Sequence, residues 1–191
     1  MTKKIIIGIT GASGAILGIR LLEVLRDVKN IETHLIISKA AQITITHETD
    51  WQIKDVQKLA SVVHKFEDIG AACASGSFKA DGMIIAPCSI RTMSEIATGV
   101  TSSLMSRTAD VMLKEKRKLV LMVRETPLHS LHLRNMANLS DAGAFIMPPV
   151  VTLYQRPKTL DDMIDHIIGR ALDHFDIDAS LVKRWKGLKN T

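Results

Sequence analysis

Hydroxyl-bearing, small and charged residues stand just beyond the apolar runs of this chain of 191 residues, and that placement suits the binding of an anion. In GITGASGAILG, residues 8–18, small residues follow Ile5-Ile6-Ile7 and precede apolar residues at helical spacing, the pattern of a strand, a tight turn and a helix. Such a loop lets an oxygen approach the backbone, and the free N–H groups of a helix start favour negative charge. A plain turn between strand and helix is the alternative reading of the same residues. Gly8, Gly11 and Gly14 form G-x-x-G-x-x-G rather than the dinucleotide G-x-G-x-x-G, and no Walker lysine follows, so neither a nicotinamide nor an ATP site is indicated.

APCSIRT offers a second helix start, with Ser89 at the N-cap and Thr92 at N3, so that two hydroxyls and the first helical N–H groups can converge on one anion; an ordinary serine cap would look the same. Ser38 stands after the second strand, where a dinucleotide site would carry an acid for the ribose, and Arg124 follows a later strand. Two hydroxyl-bearing helix starts with Ser38 and Arg124 exceed what capping needs and suit a mononucleotide. Cys88 precedes a helix start, where thiolates are stabilised, but no histidine is placed beside it and it reads as a small packed residue. Glu48, Arg124, Glu125 and Lys114 are the charges hardest to assign to a solvated face, although for Lys114 a surface position on an amphipathic helix is the simpler account. Arg170 lies at the margin of the last helix's apolar stripe, where its stem can pack while the guanidinium reaches inward. Tyr154, the only tyrosine, follows Pro148-Pro149.

The elements that must position these residues alternate. KIIIGIT, THLIIS, GMIIAP, KLVLMV and AFIMPP read as strands; helices fill the intervals, running to about Arg26, from Lys39, from Ser89, over residues 101–116 and over residues 128–143, with an irregular stretch at 51–80. Continuous apolar strands alternating with helices predict a parallel sheet covered on both faces, with ligands beyond the carboxyl ends of the strands. The closing helix is the clearest: Leu160, Met163, Ile164, Ile167, Ile168, Ala171, Leu172 and Phe175 repeat at helical spacing, and Thr159 with Asp162 reads as a capping box.

At 46% hydrophobic and 24% charged residues the chain has material for one sizeable core, so a single domain over residues 1–191 is expected. The net charge of +5 is local, concentrated in KEKRK at 114–118 and KRWKGLKN at 183–190, which favours anionic small molecules over a nucleic-acid face. Aromatics, 4% of residues, are too few for the stacking platforms of single-strand binders. Cys73 and Cys88 form neither a metal spacing nor a disulfide framework, no run approaches a membrane span and no signal peptide opens the chain; a cytoplasmic location without membrane or metal is expected.

TGASGA, ISKAA, ETD, PCSIRT, RTADVMLKEKRKLVLMVRETP, HLRNM, GAFIMPP, Tyr154 and the terminal RW, in order over nearly the whole chain, resemble the flavin prenyltransferase (UbiX-like) family. The shortened ASGSFKADGM stretch is more similar to members associated with phenolic-acid decarboxylases. The resemblance implies a Rossmann-like, flavodoxin-type α/β subunit that assembles as a homododecamer and uses no metal. It implies transfer of a dimethylallyl group from dimethylallyl phosphate to N5 and C6 of reduced FMN, the prenylated FMN then serving a separate UbiD-type aromatic acid decarboxylase. Carried over by motif, Gly11, Ala12, Ser13, Ser38, Ser89, Ile90, Arg91, Thr92 and Arg124 would hold FMN. Tyr154 and Arg170 would bind the prenyl phosphate, with Arg107, Lys114 and Glu125 completing its anion site; Glu48 is the other acidic site residue, and Trp185 would help close the pocket. Glu48, Lys114 and Glu125 are the expected catalytic groups. The chain departs from the family at Ser103, often Asn, and at Arg134, often Glu, which bears on packing or subunit contacts more than on the reaction.

Two other functions keep the same fold. The flavin cysteine decarboxylases typically read PASANT where this chain reads PCSIRT, and their PxMNxxMW motif is missing. A flavin carrier that does no chemistry would not need Lys114, Glu125, Tyr154 and Arg170.

Overall fold

A computed structural model describes residues 2–182, 184, 185 and 187, so that of the basic stretch at 183–190 only Arg184, Trp185 and Gly187 are described. Six strands, β1 (Lys3–Ile9), β2 (Ile31–Ile37), β3 (Val62–His64), β4 (Gly82–Cys88), β5 (Lys118–Val123) and β6 (Phe145–Ile146), form one sheet in the order β3-β2-β1-β4-β5-β6. Every pairing is parallel. The order is the Rossmann one, three strands on each side of β1/β4, rather than the 2-1-3-4-5 order of flavodoxin.

Alternation along each strand divides the core in two. Ile5, Ile7 and Ile9 point to one face and Ile6 to the other; Leu35 and Ile37 oppose Ile36, and Val120 and Met122 oppose Leu119, Leu121 and Val123. Both faces are covered, so both sets must be apolar, and the strands read as unbroken runs. The first face is buried by α1 (Ile16–Asp27), α2 (Lys39–Glu48), α3 (Ile53–Lys58) and α7 (Leu160–Asp173), and the second by α4 (Ile90–Ala97), α5 (Leu104–Lys114), α6 (Ser130–Asp141) and a 3-10 turn at Ala72–Ala74.

The closing helix begins as its sequence indicates. Thr159 Oγ1 accepts from the Asp162 N–H at 3.1 Å and the Asp162 carboxylate accepts from the Thr159 N–H at 3.1 Å. Ile164, Ile167, Ile168, Ala171, Leu172 and Phe175 are buried, but Leu160, in the first turn, is 68% exposed. Ser103 caps α5, exchanging hydrogen bonds with Ser106; an asparagine could make the same cap, which accounts for that departure from the family. Arg134 is exposed on α6. The irregular stretch contains α3 and β3, which the sequence conceals: β3 is three residues of an edge strand, with Val62 and Val63 36% and 43% exposed. Its start is fixed by side chains, Thr33 N–H donating to Ser61 Oγ at 3.1 Å and Ser61 N–H to Thr33 Oγ1 at 3.0 Å.

Gly18 brings α1 onto the sheet: a Cβ there would lie 2.4 Å from the Ala86 carbonyl oxygen and 2.7 Å from Ile9 Cγ1. Alanine would raise intrinsic helix propensity by about 1 kcal/mol, yet the rigid β4 carbonyl cannot yield. Gly18→Ala is expected to destabilise the fold by about 1–3 kcal/mol, read as a fall in the denaturant midpoint at unchanged slope.

Candidate functional site

The crossovers leave β1 and β4 toward opposite faces, which opens a crevice beyond their carboxyl ends. Thr10, 1% exposed, ties the two ends together: its hydroxyl donates to the Pro87 carbonyl at 2.7 Å and accepts from the Ser89 N–H at 2.8 Å. Ser38 caps α2, accepting from the Ala41 N–H at 3.1 Å, and Ser89 caps α4, accepting from the Thr92 N–H at 3.3 Å while its own O–H donates to Thr92 Oγ1. The two helix starts open on a cleft of about 430 Å³ whose lining includes Gly11, Ser38, Ser89, Arg91, Thr92 and Phe66. Lys39 and Arg91 add positive charge, paired at 3.0 Å with Glu67 and Glu95, which also line the cleft. Both pairs are exposed on the cation side and exchangeable for an incoming anion.

Gly11 has a packing reason of its own, since a Cβ would lie 2.5 Å from that of Ala40 in the first turn of α2, and Gly14 has φ +96°. The α1 start is not open. Its N-cap, Ala15, offers no side-chain acceptor. Glu48, at the end of α2, supplies one: Oε2 accepts from the Gly14 N–H at 2.8 Å and the Ala15 N–H at 3.3 Å. Burial alone would raise the Glu48 pKa, but hydrogen bonds from Ser13, Gly14 and Ala15 and the charge of Arg124 outweigh it and hold the carboxyl below its ordinary value. Glu48, Ser13 and Arg124 therefore form one electrostatic group beside the cleft. Arg124 directly follows β5, its N–H donating to the Cys88 carbonyl at 3.0 Å, and Glu125 accepts from the Thr126 N–H. Ile90 is half-buried in the first turn of α4. Cys88 is fully buried, and desolvation pushes its thiol far above the ordinary value, so it packs rather than reacts.

The remaining expected site residues lie elsewhere on the chain. Arg107 pairs with Asp110 at 3.1 Å on α5. Lys114 ends α5, where the chain enters the amino end of β5, and it pairs with Glu115 at 3.1 Å, across the sheet's length from the crevice. Tyr154 meets Trp185 edge to face at 5.3 Å and His166 at 6.0 Å, and Arg170 donates to Asp173 at 2.6 Å, as does Arg184. This group lies along the outer face of α7, whose far end reaches Gly82 and Lys118 at the amino edge of the sheet. One chain thus brings the hydroxyl set, Glu48 and Arg124 together, and leaves Lys114 and the Tyr154, Arg170 and Trp185 group outside their crevice. Thr10 and Phe66 were not singled out as site residues: Thr10 is visible as a hydroxyl past β1, whereas Phe66 carries no local signal.

Residues 1–172 match the model of the flavoprotein family, and the chain belongs to that family. Within it, the chain is a flavin prenyltransferase. It is 54% identical over 187 residues to flavin prenyltransferase UbiX of Escherichia coli strain K12, covering 97% of this chain and 99% of that one. A crystal structure of a UbiX in complex with FMN and dimethylallyl pyrophosphate superposes with a TM-score of 0.96 at 49% identity, covering 99% of this chain and 100% of that one. A dodecameric FMN-dependent UbiX-like decarboxylase from Escherichia coli O157:H7 follows at 0.94 and 47%, over 96% and 100%. Among the described residues, no helix is long and apolar enough to cross a membrane.

Because the carboxylate form of Glu48 is favoured in the folded chain, its contribution to stability is present above the ordinary value of 4.5 and is lost as pH falls through the lower folded value. Glu48→Gln should therefore be less stable than wild type at neutral pH, and the gap should close on acidification, as measured by chemical denaturation across the acid range.

Proposed function

We propose that the chain, acting as one domain over residues 1–191 in the cytoplasm, prenylates reduced FMN with dimethylallyl phosphate and passes the product to a UbiD-type aromatic acid decarboxylase. The observation that carries this reading is the pair of serine-capped helix starts, α2 and α4, opening on one cleft at the β1/β4 switch. Oriented N–H groups and hydroxyls of this kind are anion sites, and the lining has room beside them for an apolar ring at Phe66 and Ala40. FMN fits the donor set: Ser38, Ser89, Arg91, Thr92 and Arg124 would hold its polar groups, with Gly11 and Ala12 allowing backbone approach and Ile90 supporting the α4 turn. When bound and reduced, the flavin supplies the nucleophilic ring positions.

The chain's own groups manage charge. As the prenyl C–O bond breaks, its electron pair leaves with the phosphate, and Lys114, Arg107, Arg170 and Tyr154 would stabilise that developing charge. Glu48, held ionised beside Ser13 and Arg124, and Glu125 can each take or return a proton at the flavin or the phosphate. Trp185 would shield the prenyl chain from water. Since Lys114 and the Tyr154 group face away from their own crevice, a neighbouring copy is required to bring them to it, in keeping with a homo-oligomer, proposed as a dodecamer.

Purified protein incubated anaerobically with FMN, a reductant and dimethylallyl phosphate should yield an extracted flavin heavier by one prenyl group; unchanged flavin mass with both the monophosphate and the diphosphate donor would refute the proposal. Sharing of the site between copies has its own test. Ser13→Ala and Lys114→Ala should each lose most activity, and dissociating and reassembling the two together should restore part of it, because some mixed interfaces then carry two intact halves. No recovery in verified mixed oligomers would place both residues in one copy's site.

A further inference from the structure

A closed string of polar side chains lies between β2 and β3, outside the cleft. His34, 4% exposed, places Nε2 2.7 Å from Glu32 Oε1 and Nδ1 3.0 Å from His64 Nε2. The two rings are 16° from parallel with centroids 5.2 Å apart, and Phe78 packs edge-on against His34 at 5.0 Å. Lys4 closes the string, 3.1 Å from Glu32 Oε1 and over the Phe78 ring at 5.2 Å. Lys4 first, then His34, hold the Glu32 carboxyl below its ordinary value, so it accepts from His34 Nε2–H.

A nitrogen-to-nitrogen hydrogen bond holds one proton. His34 can accept at Nδ1 from a neutral His64, or donate from a cationic ring to it; with both rings cationic, two N–H groups would meet at 3.0 Å and the bond is lost. The bond sits where β3 is weakest. That strand pairs with β2 through only His34↔Val62, Leu35↔Val63 and Ile36↔His64, so His34 and His64 are diagonal neighbours on one face. Directly beyond His64, Phe66 accepts at its carbonyl from the Leu104 N–H at 3.0 Å, and Phe66 and Glu67 line the cleft between the α2 and α4 starts.

We propose that His34 and His64 are positioning residues, a one-proton clamp that fixes the Phe66–Glu67 wall of the flavin cleft and releases it when a second proton binds. The readout through flavin rests on the function proposed above. The charged groups facing the pair are Lys4 from β1, Glu32 on β2, and Lys65, Glu67 and Asp68 beyond β3, while Gln42 of α2 and Gln57 of α3 share with His64 a smaller cleft. Lys4 and Glu32 neutralise each other. Burial first and the neighbouring His34 second lower the His64 pKa from its ordinary 6.5, against Asp68, which raises it. One cationic ring leaves the shared proton in place, so the clamp's contribution is present above the ordinary value and is lost as pH falls through the lowered value of His64 beside a cationic His34, the step that makes both rings cationic.

The test compares the full-length wild type with His64→Gln, which can still hydrogen-bond His34 but takes up no proton. FMN affinity by fluorescence quenching and amide exchange of residues 62–67, corrected for intrinsic rates, are followed from about pH 8 to about pH 5.5. In wild type the FMN Kd should rise by up to about tenfold per pH unit below the His64 transition, and protection at 62–67 should fall with it. His64→Gln should stay within about threefold of wild type at the alkaline end and lack the additional acid slope; the ionisation of the FMN phosphate itself is common to both proteins and cancels in the comparison. Parallel Kd curves, or wild-type protection that does not change with pH, would overturn the clamp. If wild type binds no FMN even at the alkaline end, the functional reading fails and the exchange arm alone decides: protection lost on acidification in wild type but kept in the variant upholds the clamp, and equal profiles overturn it.

Discussion

The buried hydroxyl of Thr10 makes the crevice possible. Where crossovers diverge at β1/β4, the Ser89 N–H just past β4 falls outside the strand ladder, and a buried unpaired backbone group costs about 1–3 kcal/mol. The Thr10 hydroxyl accepts from that N–H and donates in turn to the Pro87 carbonyl, which the Thr10 N–H also reaches at 3.3 Å. It holds the starts of the α1 loop and of α4 at a fixed separation without filling the space above them. Ser89 is thereby locked in its capping geometry before any ligand arrives, and the adjacent Thr92 hydroxyl is oriented by it.

The starts of α1, α2 and α4 flank the crevice, and their different treatment sets the polarity of the site. The α1 start is neutralised by the chain's own Glu48, whereas α2 and α4 have only neutral serine caps and retain their partial positive charge toward the cleft. Holding an anion at all three would place like charges near one another. The arrangement instead keeps a carboxylate beside Ser13 and Arg124 and leaves the neutral-capped starts of α2 and α4 facing the cleft. The glycines of GITGASGAILG then have mainly steric reasons: Gly11 admits Ala40, Gly18 admits the Ala86 carbonyl, and Gly14 supplies the left-handed turn.

How legible this was in the sequence depended on how local the cause is. β5 was read to the residue, because KLVLMV is buried on both faces and no polar residue interrupts it. The Thr159–Asp162 and Ser89 caps were visible for the same reason, cap and partner lying three residues apart, whereas Ser38 stood out as a hydroxyl past β2 but not as the cap of α2. β3 was hidden, since its ends, Ser61 and His64, are held by Thr33 and His34 of the distant β2, and its valines are half in solvent. Glu48 could be singled out as an acid hard to place on the surface, but not as the cap of α1, 33 to 34 residues away.

The same distinction explains why the family motifs identified residues that do not meet within one chain. A motif records what a reaction needs, whichever copy provides it; the fold decides where each residue stands. Because α5 descends into the amino end of β5, Lys114 must stand at the opposite edge from Arg124, though only ten residues separate them in sequence. β5 itself, six residues at about 3.3 Å each, spans nearly 20 Å. No rotamer of a lysine bridges that distance. The hydroxyl set is therefore a property of the sheet's switch point, and Lys114, Arg170 and Tyr154 a property of the outer faces of α5 and α7, so the proposed chemistry, which needs both, would make assembly part of the active site.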